Sequence, residues 1–173
     1  VADTLHRHRD LYGKYPPIPG TPEYRQAATA WLNRRYKLPA GMLDADKHLL
    51  PVAGTKEGLY LIAQAVVPSR KNGQQPLALL PDPFYPVYAG AAAMAGAEAY
   101  LMPARRENKF LPDFDSLSPS VLERTAIVYL CSPANPQGTV ADIDYWMRLL
   151  ARARKHDFVV VAFECYAEVC AET

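Results

Sequence analysis

Four short segments of this chain combine residue types that can do chemistry. Gly54-Thr55-Lys56 puts a glycine, a hydroxyl and an ammonium at the start of an expected helix. Backbone N–H groups there suit a phosphate, although an ordinary strand-to-helix turn uses the same residues. Pro83-Phe84-Tyr85-Pro86-Val87-Tyr88 opens another helix with three aromatics. One of those rings could cover the face of a flat ligand, or all three could pack in a core. In Ser132-Pro133-Ala134-Asn135-Pro136-Gln137-Gly138, two prolines and a glycine hold a loop and fix the direction of the Asn135 amide, as a plain turn also would. Phe163-Glu164-Cys165-Tyr166 ends an apolar run, from which Tyr166 could turn its hydroxyl into a crevice or stay half-buried.

The elements around these segments must bring them together. Leu49 to Ala53 reads as a short strand entering 54–58, with a helix then running to about Val67. Leu77 to Leu80, Glu98 to Met102, Ala126 to Cys131 and Phe158 to Ala162 read as further strands. The last two are apolar throughout, as parallel strands covered on both faces are. An alanine-rich helix follows Pro83, and a helix before Phe158 carries Ile143, Trp146, Met147 and Leu150 on one face. Toward the amino end, residues 2–12 form a short polar helix ended by Gly13, and Tyr15 to Gly20 is a stiff proline-rich connection. Thr21-Pro22-Glu23 starts a helix whose apolar stripe of Tyr24, Ala27, Ala28, Trp31, Leu32 and Tyr36 puts Trp31 in the core. Strands alternating with helices predict an α/β fold, a mostly parallel open sheet with helices on both faces. Ligands collect at the carboxyl ends of such strands, where all four segments fall.

Composition sets the class. Half of the 173 residues are apolar and 21% are charged, which is a globular balance. A formal net charge of +1 points to no nucleic-acid and no membrane-surface partner. His6 and His8 are two apart and face different sides of a helix, so no metal site is expected there. Cys131, Cys165 and Cys170 form no C-x-x-C pair, which suits a reducing cytoplasm.

In combination these segments carry a resemblance. Y-x-x-x-x-G at 15–20, G-T-K-E-G at 54–58, D-P-F-Y-P-V-Y at 82–88, S-P-A-N-P-Q-G at 132–138 and E-C-Y-A-E at 164–168 are similar to the fold-type I, class I/II aminotransferases. The likeness runs from about Tyr12 to Val169. Within the family it looks most like the succinyldiaminopimelate aminotransferases of bacterial lysine biosynthesis, through residues 111–115 and 129–133. The resemblance implies pyridoxal 5'-phosphate as cofactor, amino acid and 2-oxo acid substrates, with N-succinyl-LL-2,6-diaminopimelate and 2-oxoglutarate as the suspected pair, and a cytoplasmic homodimer. It implies that Gly54, Thr55 and Lys56 hold the cofactor phosphate, that Tyr85 stacks on its ring, and that Asn135 and Tyr166 donate to its phenolic oxygen. By the same resemblance, Tyr15 reaches the phosphate in the neighbouring subunit and Gly20 lies near the substrate. Residues 1–40 would be amino-terminal helices with the substrate- and dimer-contact segment, and 41–173 a partial cofactor-binding large domain.

Two departures qualify it. The lysine to which the family attaches its cofactor falls beyond these residues, so no catalytic residue is assigned, and the chain is expected to be an excised piece lacking an amino-terminal segment and a carboxy-terminal half. Phe163 stands where the family has an aspartate that pairs with the ring nitrogen. The expected consequence is weak or absent transamination, which leaves a non-catalytic ligand-binding or dimerising remnant as the other reading.

Overall fold

A computed structural model describes residues 1–169. The chain divides into two compact units, Val1–Ala53 and one that begins at Gly54. Residues 41–53 fall within the first of these units. Arg25 bonds Asp46 at 2.6 Å, and a side chain at Gly20 would meet the Pro51 ring.

In the first unit, α1 (Ala2–Arg7) is followed by a single 3-10 turn and then by α2 (Pro22–Tyr36). The Thr21 hydroxyl accepts from the Tyr24 N–H, and Pro22 sits where its missing N–H costs nothing. The apolar stripe of α2 is not its buried line. Arg25 and Thr29 are buried, while Trp31 is 42% exposed, contrary to expectation. Arg25 can be buried because its guanidinium is met by acceptors, the Pro19 carbonyl at 3.1 Å and the Gly20 carbonyl at 2.5 Å in addition to Asp46. The strand expected over Leu49 to Ala53 does not form. Pro51 lies in its middle and removes a ladder donor.

The second unit is a four-stranded, wholly parallel sheet of β1 (Leu77–Asp82), β2 (Glu98–Pro103), β3 (Thr125–Cys131) and β4 (Val159–Phe163), in the order β2-β1-β3-β4. Its helices are α3 (Thr55–Val66), α4 (Pro86–Met94), the short α5 (Pro119–Arg124) and α6 (Ile143–His156). Strand alternation sorts the core into two layers. Ala78, Leu80, Ile127 and Tyr129 face Leu59 and Ala63 of α3 and Tyr88, Ala91 and Ala92 of α4. Leu77, Leu79, Val128 and Leu130 face Leu122 of α5 and Leu149 and Ala153 of α6. Helices on both faces of a parallel sheet are therefore present, as the sequence predicts.

Two expectations are corrected here. On α6 the buried positions are Leu149 and Ala153, while Ile143 and Met147 are 72% and 58% exposed. Tyr145, left out of the expected stripe, turns the helix by packing on Phe114 and donating its hydroxyl to the Pro112 carbonyl at 2.8 Å. β3 is buried along almost its whole length, but β4 is only partly covered, because it pairs with β3 alone and forms one edge of the sheet among the described residues. No helix among these residues is long and apolar enough to cross a membrane.

Candidate functional site

The path of the chain creates the crevice. From β1 it passes through α4 to β2 on one side, then crosses back to β3 and β4 on the other. The carboxyl ends of β1 and β3 therefore diverge at a topological switch point, where open α/β sheets leave room for a ligand. A cleft of about 500 Å³ lies there. Asp82 and Cys131 end the two strands, and the Asp82–Pro83, Ser132–Pro133 and Asn135–Pro136 bonds at the rim are cis.

Three of the four segments arrive as expected, and the fourth by another route. Tyr85 lines the cleft from the N-cap of α4. Asn135 lines it from the loop after β3, and Tyr166 from the turn after β4. Their side chains meet, with the Asn135 amide donating to the Tyr166 hydroxyl at 2.9 Å. Thr55 reaches the cleft as the first residue of α3, without a preceding strand. Gly54 is the N-cap of that helix and supplies no side-chain cap, which leaves first-turn N–H groups available to an anion. Lys56 follows on the exposed first turn and is not among the cleft-lining residues.

Tyr15 and Gly20 belong to the first unit. Tyr15 is fully exposed. Gly20 has a positive φ of 76°, and a Cβ there would sit 2.6 Å from Pro51 Cγ, so both backbone and space require glycine.

The aromatic lining is more extensive than the sequence suggested. Tyr85 lies parallel to Phe163 with ring centroids 6.4 Å apart and meets Tyr88 edge-on at 5.9 Å. Tyr88 in turn stacks on Tyr129 at 4.6 Å, and the Tyr129 hydroxyl donates to the Leu59 carbonyl at 2.7 Å. Burial raises the phenol of Tyr88 far above its ordinary value and pushes Tyr129 up to about 12. The Tyr88 hydroxyl is buried without a hydrogen-bond partner. Cys131 and Cys165 also line the cleft. Sequence reasoning missed the two cysteines as site residues, although each lies two residues beyond an inward-facing neighbour, Tyr129 or Phe163.

The fit to pyridoxal 5'-phosphate can be judged side by side. A phosphate suits the uncapped start of α3, a flat ring suits Tyr85, and an oxygen acceptor suits the Asn135–Tyr166 pair. The ring-nitrogen side does not fit, because Phe163 offers a hydrocarbon ring where a protonated nitrogen needs an anion.

Known proteins share this fold. A probable N-succinyldiaminopimelate aminotransferase from Thermus thermophilus superposes with a TM-score of 0.76 at 28% identity, covering 93% of this chain and 42% of that one. An aminotransferase structure from Neisseria meningitidis superposes with a TM-score of 0.90 at 37% identity, covering 99% of this chain and 42% of that one. The LL-diaminopimelate aminotransferase of Dehalococcoides mccartyi is 36% identical over 156 residues, 90% of this chain and 38% of the relative. The chain thus spans about two fifths of the length of the relatives it matches. The family uses pyridoxal 5'-phosphate, and the sheet is that of the fold-type I large domain in part. With the profile of aminotransferase class I and II matching residues 3–173, the chain belongs to that aminotransferase family.

Proposed function

We propose that the cleft is the pyridoxal 5'-phosphate site of an aminotransferase moving an amino group between an amino acid and a 2-oxo acid. The observation that carries this reading is the convergence of Thr55, Tyr85, Asn135 and Tyr166 on one cleft at the switch point. The bound cofactor supplies an electron sink for the substrate carbon that loses its proton. The chain's own residues bind and orient. The first-turn amides of α3 after Gly54, with the Thr55 hydroxyl and the Lys56 ammonium, hold the phosphate. Tyr85 covers one ring face. Tyr166 donates to the phenolic oxygen while accepting from Asn135, so the pair acts as one fixed donor unit.

Two assignments concern the first unit. Tyr15, fully exposed on its proline-rich segment, contacts the cofactor phosphate of a neighbouring subunit in a homodimer. Gly20 borders the substrate, held by the grip of Arg25 on its carbonyl. The donor is of the diaminopimelate class and the acceptor is 2-oxoglutarate. The names of the relatives above divide between free and succinylated diaminopimelate, so N-succinyl-LL-2,6-diaminopimelate and the free diamine are both assayed as donors.

Cofactor binding is the direct test. Titration of the full chain with pyridoxal 5'-phosphate, followed by absorbance, is expected to saturate at one equivalent, compete with inorganic phosphate and weaken in Thr55→Ala. Absence of saturable binding would refute the reading.

Phe163 favours a second reading, a non-catalytic ligand-binding or dimerising remnant of an aminotransferase. It predicts saturable cofactor binding with no amino transfer from either donor even in a longer form that carries the cofactor-linking lysine.

A further inference from the structure

The cleft holds a group of residues that the cofactor reading does not use. On β3, Tyr129 and Cys131 lie two apart, and on the β4 side Phe163 and Cys165 do the same. Tyr129 and Phe163 belong to the core layer beneath the cleft, and both cysteines line the cleft itself. Cys131 pairs in register with Phe163, and the Ser132 N–H donates to the Phe163 carbonyl at 3.1 Å, which ties the two strand ends together. The Cys131 thiol donates to the Pro133 carbonyl at 3.0 Å, and Cys165 lines the same cleft from the turn after β4. The pair is asymmetric, with Cys165 exposed and Cys131 half-buried. Both are free thiols. Tyr88 lines the same cleft, and its hydroxyl is buried without a hydrogen-bond partner. A buried phenol without a partner calls for an explanation. Here a sulfenic oxygen, which extends beyond the sulfur that carries it, would be its acceptor.

We propose that Cys131 and Cys165 form an oxidisable dithiol in the cleft, taking a hydroperoxide as oxidant, with Cys165 the attacking and Cys131 the resolving thiol. The Cys165 thiolate attacks the distal peroxide oxygen, the O–O bond breaks, and the departing oxygen takes a proton to leave as alcohol or water. Cys165 is then a sulfenic acid. The Cys131 thiolate attacks that sulfur, the S–S bond forms, the S–O bond breaks, and the hydroxide leaves as water with the remaining proton. The two sulfurs lose two electrons in all and the peroxide gains them. An external dithiol reverses the change by exchange. Burial and the neighbouring Cys165 push the Cys131 thiol up to about 11, which leaves the exposed Cys165 as the first thiol to attack.

The test is peptide mapping of the full chain after hydrogen peroxide treatment, alkylation and digestion without reduction. A Cys131–Cys165 linked peptide that dithiothreitol releases is expected, and Cys131→Ser is expected to accumulate a dimedone adduct at Cys165. Tyr88→Phe is expected to slow formation of that adduct about fivefold, the loss of one hydrogen bond to the forming sulfenic oxygen. Recovery of both thiols alkylated after peroxide, or linkage of Cys165 to Cys170 instead, overturns the assignment. An adduct rate unchanged in Tyr88→Phe overturns the role of Tyr88.

Discussion

Cutting the bond between Asn135 and Tyr166 gives a sharp measure of the site. Asn135 donates to the Tyr166 hydroxyl at 2.9 Å, and a phenol that accepts one hydrogen bond still donates its own proton. The amide also keeps a second N–H. Each side chain therefore has one donor for the phenolic oxygen of the cofactor. Asn135→Ala and Tyr166→Phe each remove a charge-assisted hydrogen bond of about 1.5–3 kcal/mol, roughly a tenfold to hundredfold loss in cofactor affinity. The direct bond between them contributes about 1 kcal/mol of coupling, so the double variant weakens roughly fivefold less than the product of the single losses. Both residues are beside the rim rather than in the core, so the fold survives both changes. The assay is titration of the full chain and its three variants with pyridoxal 5'-phosphate, followed by absorbance. Single losses that multiply, with coupling below about 0.3 kcal/mol, would refute the argument that the two act as one unit.

Other expectations follow from the same geometry. Phe163→Asp places an anion on the ring-nitrogen side and is expected to tighten cofactor binding about tenfold, and to raise the transamination rate of a longer form that carries the cofactor-linking lysine, while Phe163→Leu does neither; equal binding in all three proteins would show that Phe163 is not the missing partner. Leu149→Ala is expected to cost about 3 kcal/mol in urea denaturation and Met147→Ala less than about 0.5 kcal/mol, because Leu149 is 1% exposed and Met147 58%; the reverse ranking would restore the stripe first expected on α6. Cys131 and Tyr129 keep their protons to about 11 and about 12 in the folded chain, against ordinary values of 9.0 and 10.0. The unfolded chain therefore binds fewer protons above pH 9, and stability falls as pH rises from 9 through 12. Urea midpoints at pH 8, 10 and 11 check this, and Tyr129→Phe should flatten the upper part of the fall.

How much of this was legible beforehand depended on whether the signal was local. The cap at Thr21, the proline starts of α2 and α4, and the fully apolar β3 are local chemistry, so the sequence determined them without reference to the rest of the chain. The segments around Tyr85, Asn135 and Tyr166 were legible for the same reason, since each has unusual composition beside a strand end. Tertiary structure decided which positions are buried. Arg25 is buried and Trp31 exposed because the carbonyls of Pro19 and Gly20 and the carboxylate of Asp46 gather around the guanidinium, and those partners come from other segments. β4 reads as covered on both faces, yet burial comes from neighbours in the sheet, and its place at the edge was fixed only by strand order. The placing of Cys131 and Cys165 on one cleft likewise required the register of β3 on β4, which no single stretch of sequence contains. Local propensity is written residue by residue, whereas burial and proximity are properties of pairs brought together by the fold.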